Sequence, residues 1–184
     1  MASGDDKAEI LANPCDVSWG ATAIGSAHPH TGGTGLGLTL GAELIPNIHL
    51  LDVPTEERGP RYDTLYLGAS PILRITFRQW DATVLQRAFP GGLTAAGSTE
   101  RVVKIPGTLK PGTRLTSLAG ILILTPTDTT VQKALIAYSA VGVAAAPLWF
   151  GNAQDLALEV AFLLLRDAAN RVVEVSKLNN LTAI

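Results

Sequence analysis

"LTSLAGILILT", residues 115–125, alternates as a β-strand should, yet both of its faces are apolar: Leu115, Ala119, Ile121 and Ile123 lie on one, Leu118, Leu122 and Leu124 on the other. "KALIAYSAVGV", residues 133–143, has the same character. Such strands need cover twice. In a parallel sheet helices supply the second cover, but this chain has about one helix to give. Either another copy of the chain buries the remaining face, or the C-terminal hairpin or the helix folds over it. Both readings stay open at this point, the first with Leu118, Leu122, Leu124, Ile136 and Tyr138 as intersubunit residues.

Outward from these strands, "ILRITFRQ" places Leu73, Ile75 and Phe77 on one side and Arg74, Thr76 and Arg78 on the other, the pattern of a half-buried strand. The helix follows directly. In "WDATVLQRAFPGG", Asp81 can cap the start, Val84, Leu85, Ala88 and Phe89 share a face, and Pro90-Gly91-Gly92 ends it. Further strands are expected at 17–24, 35–40, 45–51, 101–105, 156–165 and 171–177, with "RDAANR" (166–171) as a turn joining the last two into a hairpin. The expected fold is mainly β: a β-sandwich or partly open β-barrel with one short flanking helix. One stretch interrupts this pattern. "DVPTEERGPRYDTLYLG", residues 52–68, mixes Asp52, Glu56, Glu57 and Asp63 with Arg58, Arg61 and two prolines, and reads as a long inter-strand loop.

At 184 residues a single domain is expected, with 1–16 as an N-terminal arm. A net charge of -2 gives no basic surface for gripping nucleic acid. Charged residues make up 16% against a usual value of about 25%, so glycine, threonine, serine and asparagine carry much of the polarity. The start "MASGDDKAEI" has charges where a signal peptide needs an apolar core, which points to synthesis in the cytoplasm. The apolar runs are too short for a membrane helix, and no membrane anchor is expected.

Chemistry-bearing residues are sparse. His28 and His30 flank Pro29, with His49 distant, and read as loop histidines exposed to solvent. Gly33, Gly35 and Gly37 lack the spacing of a phosphate-binding loop and lead into no helix. Ser26 near the histidines has no nucleophile elbow around it, and the single Cys15 has no histidine beside it. Trp80 and the pair Trp149-Phe150 read as core or interface anchors. The expectation is no catalytic, metal or cofactor site. A small hydrolase or metal enzyme built on His28 and His30 is the rival from another class.

Taken in order, "DVSWGATAIGSAHPHTGG", "LYLGASPILRITFRQWDATVLQRAFPG", "AGILILTP" and "DLALEVAFLLLRDAANRVVEVSK" resemble the bacteriophage major tail tube protein family. The likeness spans most of the chain and rests on the order of the pieces. It implies a structural subunit, not an enzyme, forming hexameric rings that stack into a hollow conduit for DNA delivery. Implied partners are copies of the chain and other tail proteins, including a sheath if the tail contracts, with DNA passing through unbound. The implied location is the virion tail. The charged loop would then reach the adjacent ring, with Asp52, Glu56, Glu57, Arg58, Arg61 and Asp63 fixing register. A tail terminator or connector ring and a secretion-system tube protein are the alternatives within this class, and a solvated loop without a partner is the plainer reading of 52–68.

Overall fold

The computed structural model describes residues 14–25, 28–53, 63–78, 82–89, 93–94, 103–104, 110–129, 132–144, 157–181 and 184. Its strands are β1 (Cys15–Trp19), β2 (Thr34–Ile45), β3 (Ile48–Val53), β4 (Asp63–Ala69), β5 (Ile72–Phe77), β6 (Leu93–Thr94), β7 (Val103–Lys104), β8 (Gly120–Pro126), β9 (Ala134–Ala144), β10 (Leu158–Leu164) and β11 (Val173–Ser176). Helix α1 (Ala82–Ala88) lies between β5 and β6. Six strands, in the order β10-β5-β2-β1-β8-β9, close into an antiparallel barrel through the β9–β10 pairing. The chain is therefore mainly β, and the barrel is closed rather than partly open.

Alternation decides which side chains fill it. Val17 and Trp19 of β1, Leu73, Ile75 and Phe77 of β5, Leu122 and Leu124 of β8, and Val160 and Phe162 of β10 form one buried cluster. Register aligns Leu158 with Phe77, Val160 with Ile75 and Phe162 with Leu73, so large side chains stack in cross-strand pairs. Trp19 and Phe162 meet with ring centroids 5.8 Å apart. A barrel this small is filled by side chains and leaves no bore.

Closing six strands requires strong coiling, and β2 supplies it with an irregularity on each edge. Its register slips against β1 around Gly37, which has φ 93°, and against β5 between Thr39 and Gly41. Bulges of this kind bend a strand and increase its twist. Leu40, at the second slip, is left half exposed.

Several expected boundaries move. β1 ends at Trp19 because Gly20 turns with φ 70°, so residues 20–24 are loop. β2 runs on to Ile45, and the expected 45–51 strand is broken at Pro46 and Asn47, the latter in the left-handed region with φ 38°. Leu115–Leu118 form a 3-10 turn, and the strand begins only at Gly120. Of the expected 101–105 strand, Val103 and Lys104 form β7, paired with β6, and the rest lies outside the described residues.

The last two strands do not form a hairpin. β10 pairs with the C-terminal half of β9 and β11 with its N-terminal half, both antiparallel to it, so they follow one another along the same edge. Residues 165–172 are an excursion from that line. The Leu165 amide donates to the Ser139 carbonyl at 2.7 Å before it, and the Tyr138 amide to the Val172 carbonyl at 3.1 Å after it. Asp167 ties the excursion together, its carboxylate accepting from the amides of Ala169 and Arg171 and from Arg171 Nε at 2.8 Å. Burial pushes the Asp167 pKa up, but the hydrogen bonds from Arg171 outweigh it and hold the carboxyl below its usual range.

Helix α1 carries the expected face: Val84 and Ala88 are buried in the barrel cluster, and Leu85 and Phe89 pack partly buried against it. Its proposed cap, Asp81, lies outside the described residues. The helix approaches β9 at Gly142, where a Cβ would collide with the Arg87 carbonyl oxygen. Glycine within a strand here marks a close backbone approach. Gly142→Ala is expected to destabilise the fold by about 1–3 kcal/mol through overpacking, read as a lowered midpoint in urea denaturation with an unchanged slope.

Candidate functional site

The β2–β5 pair does not stop where the barrel does. Beyond Ile45 and Ile72 the chain turns at Pro46-Asn47 on one side and Ser70-Pro71 on the other, then continues as the β3–β4 ribbon. The corner is fastened by the Ser70 amide donating to the Asn47 carbonyl at 3.0 Å and by His49 Nε2 against Ser70 Oγ at 2.8 Å. The expected 52–68 loop is thus replaced at both ends by paired strands: Asp52 lies in β3, and Asp63–Gly68 lie in β4. Glu56, Glu57, Arg58 and Arg61 fall outside the described residues.

Both faces of this ribbon are apolar. Leu50 stands opposite Tyr66 and Leu51 opposite Leu65, and successive residues point to opposite sides. Leu50 is 60% and Tyr66 62% exposed, while Leu51 and Leu65 are each 49% exposed. Ile48 and Leu67 add to the apolar surface. A two-stranded ribbon is at best marginal in water on its own, and this one leaves large apolar side chains exposed on both sides. The Thr64 hydroxyl donates to Asp52 Oδ1 at 3.3 Å across the ribbon. The sequence signal was "LYL" at 65–67, which sat inside a stretch defined by its charges.

The apolar strands expected to contact another subunit are instead buried within the chain. Leu122 and Leu124 point into the barrel, with no exposure. Ile136, also fully buried, and Tyr138 lie on the outer face of the sheet in a second cluster with Ile123 and Ala134. Leu118 is in the 3-10 turn, half-buried. Among the described residues the second cover comes from two short pieces: Ala21 and Ile24 of the loop after β1, and Leu178, Leu181 and Ile184 after β11. Neither the helix nor a terminal hairpin supplies it. At the rim Tyr138 donates to Glu174 Oε2 at 2.7 Å, and the Arg171 guanidinium sits 3.9 Å from the Tyr138 ring centroid.

The three histidines have separate roles. His49 is in the exposed ribbon. His30 is 1% exposed, contrary to a solvated loop histidine, and His28 is half-buried. His28 Nδ1 lies 3.0 Å from Ser18 Oγ, a serine–histidine contact that the sequence reading missed because Ser18 sits in a strand ten residues away. Ser18 has no exposure, so no substrate reaches its hydroxyl. Ser26 is outside the described residues, as are Trp80, Trp149 and Phe150. Among the described residues no three histidine, cysteine or carboxylate side chains come together as a metal site. Cys15 is buried, and burial, aided by the charge of Asp16, pushes its thiol pKa up, away from the reactive thiolate. Gly35 and Gly37 lie in β2 itself, where no helix follows to hold a phosphate. Arg74 and Arg78 face outward; Arg74 Nη1 is 3.9 Å from Glu43 Oε2, both well exposed, a pair that contributes little to stability.

No family model matches the chain, and no curated protein matches it either. Fold and surface define a closed antiparallel barrel that projects an apolar two-stranded ribbon.

The two apolar surfaces separate by stability. Ile136→Ala is expected to cost about 2–5 kcal/mol at any protein concentration, whereas Leu51→Ala should stay within about 0.5 kcal/mol when the chain is dilute. Equilibrium denaturation of both variants checks this.

Proposed function

We propose that the protein is a self-assembling subunit of a bacteriophage tail tube, in which hexameric rings stack into a hollow conduit for DNA. The observation that carries this reading is the β3–β4 ribbon, with large apolar side chains on both faces and no described part of its own chain to cover them. It stands where the resemblance places the segment that reaches a neighbouring subunit. On this reading the channel for DNA forms between copies of the chain, since the barrel itself is filled by side chains.

Burial of Leu50, Tyr66, Leu51 and Leu65 against neighbouring subunits supplies the affinity. At roughly 25 cal/mol per Å² of apolar area, a repeated contact of this kind adds up along a tube. The charged residues between Asp52 and Asp63 fix which copy meets which. A net charge of -2 suits a conduit through which DNA must slide without being held, since each neutralised phosphate would strengthen binding.

Negative-stain microscopy and sedimentation of the purified protein test the reading. Rings or tubes are expected for the wild type, tubes pointing to a stacking subunit and single rings to a terminator or connector. The double variant Leu50→Ser, Tyr66→Ser is expected to sediment as a folded monomer whose melting temperature, unlike that of the wild type, does not rise with protein concentration. A wild-type protein that stays monomeric at high concentration would overturn the proposal. Assembly by the double variant would remove the ribbon from it. Deleting 55–60 tests the charged segment separately: tubes of full length would exclude it from stacking.

A further inference from the structure

The β3–β4 ribbon lacks the alternation of a strand pair that rests on a single surface. An antiparallel pair covered on one side and wetted on the other reads apolar and polar in turn, whereas "HLLD" in β3 and "TLYLG" in β4 place large apolar residues at successive positions. Leu50 and Tyr66 share one face, and Leu51 and Leu65 share the other. Elsewhere in the chain, strands of this character are covered twice. β8 and β9 send Leu122, Leu124, Leu135 and Ala137 into the barrel cluster and Ile123, Ile136 and Tyr138 into the outer one. The ribbon carries the same pattern, yet the described residues leave both of its faces open.

Each face is also small. Strands of six and seven residues, at about 3.3 Å per residue and about 4.8 Å apart, make a face of about 20 Å by about 10 Å, on the order of 200 Å². A specific interface takes roughly 800 Å² from each partner. One ribbon lying on one partner therefore falls well short, and both of its faces together supply about half of what is needed. A repeating assembly of one chain makes up the difference, because every copy then gives a ribbon and also receives the ribbons of others. A different protein bound to the ribbon alone would gain no such return.

We propose that each ribbon is clasped between two other copies of the chain, one packed on Leu50 and Tyr66 and the other on Leu51 and Leu65. The inference rests on the self-assembly proposed above and adds the contact: every joint joins three copies, and a pair of copies leaves a face of each ribbon in water. Particles then form directly from monomers, without a stable dimer between them.

Two measurements on the full chain test the clasp. In sedimentation, Leu51→Ser, Leu65→Ser is expected to lose assembly as completely as Leu50→Ser, Tyr66→Ser, at concentrations where the wild type forms particles. The number of copies at a joint is read by photocrosslinking. A trace of chain carrying benzoylphenylalanine in place of both Leu65 and Tyr66 is assembled with excess wild type and irradiated, and adducts of three chains are expected. Adducts that stop at two chains, or particles formed by Leu51→Ser, Leu65→Ser, would overturn the clasp and leave self-assembly standing. A wild type that stays monomeric would overturn both. Should the doubly labelled chain not enter the particles, the probe at Leu65 or at Tyr66 alone decides: cross-links to two different segments of neighbouring copies support the clasp, and cross-links to one shared segment overturn it.

Discussion

Hydrogen bonding along both edges of β9 holds the structure together. One edge pairs with β8, while the other pairs with β10 over its C-terminal half and β11 over its N-terminal half. The β9–β10 contact is the seam that closes the barrel, and closure removes the exposed edges that an open sheet would leave. A strand so placed sits between two layers. Its inward residues, Leu135 and Ala137, meet the barrel core, and its outward residues, Ile136 and Tyr138, need a second shell. That requirement accounts for the apolar character of both faces of "KALIAYSAVGV".

Among the described residues the second shell is made by the loop after β1 and the segment after β11. Each is too short to form a layer alone, and each is held by polar contacts at its edge: His30 to Thr125 for the first, and for the strand leading to the second Tyr138 to Glu174. The cover therefore consists of small apolar pieces pinned by hydrogen bonds, a construction that local opening can disturb without unfolding the barrel. The apolar area left over is elsewhere, on a ribbon that continues the β2–β5 pair past two prolines and away from the core.

Local pattern made some elements plain. Strict alternation in "ILRITFRQ" and the grouped Val84, Leu85, Ala88 and Phe89 face identified β5 and α1, because these elements bury one side only and their periodicity survives. The ribbon was obscured by composition: acids, arginines and prolines in 52–63 masked the "LYL" that follows, and a charged excursion looks alike whether its ends are paired or free. The segment at 166–171 shows a different limit. Its Asp167–Asn170 turn chemistry is what a hairpin uses, and Asn170 does adopt the left-handed conformation with φ 62°. Yet the chain resumes its original line, because β9 offers a continuous edge on which both flanking segments pair.

By itself the sequence determined the class: short alternating strands, a single helix, and too much apolar strand surface for one sheet face to hide. Periodicity is a local property, so it reports that a face is buried. It does not report by what. The tertiary structure alone decided that Leu178, Leu181, Ala21 and Ile24 cover Ile123 and Ile136, that β10 and β11 share one edge, and that Leu50, Leu51, Leu65 and Tyr66 of the ribbon stay exposed. Those facts depend on which distant segments meet when six strands close on themselves, and closure is a condition on the whole chain rather than on any stretch of it.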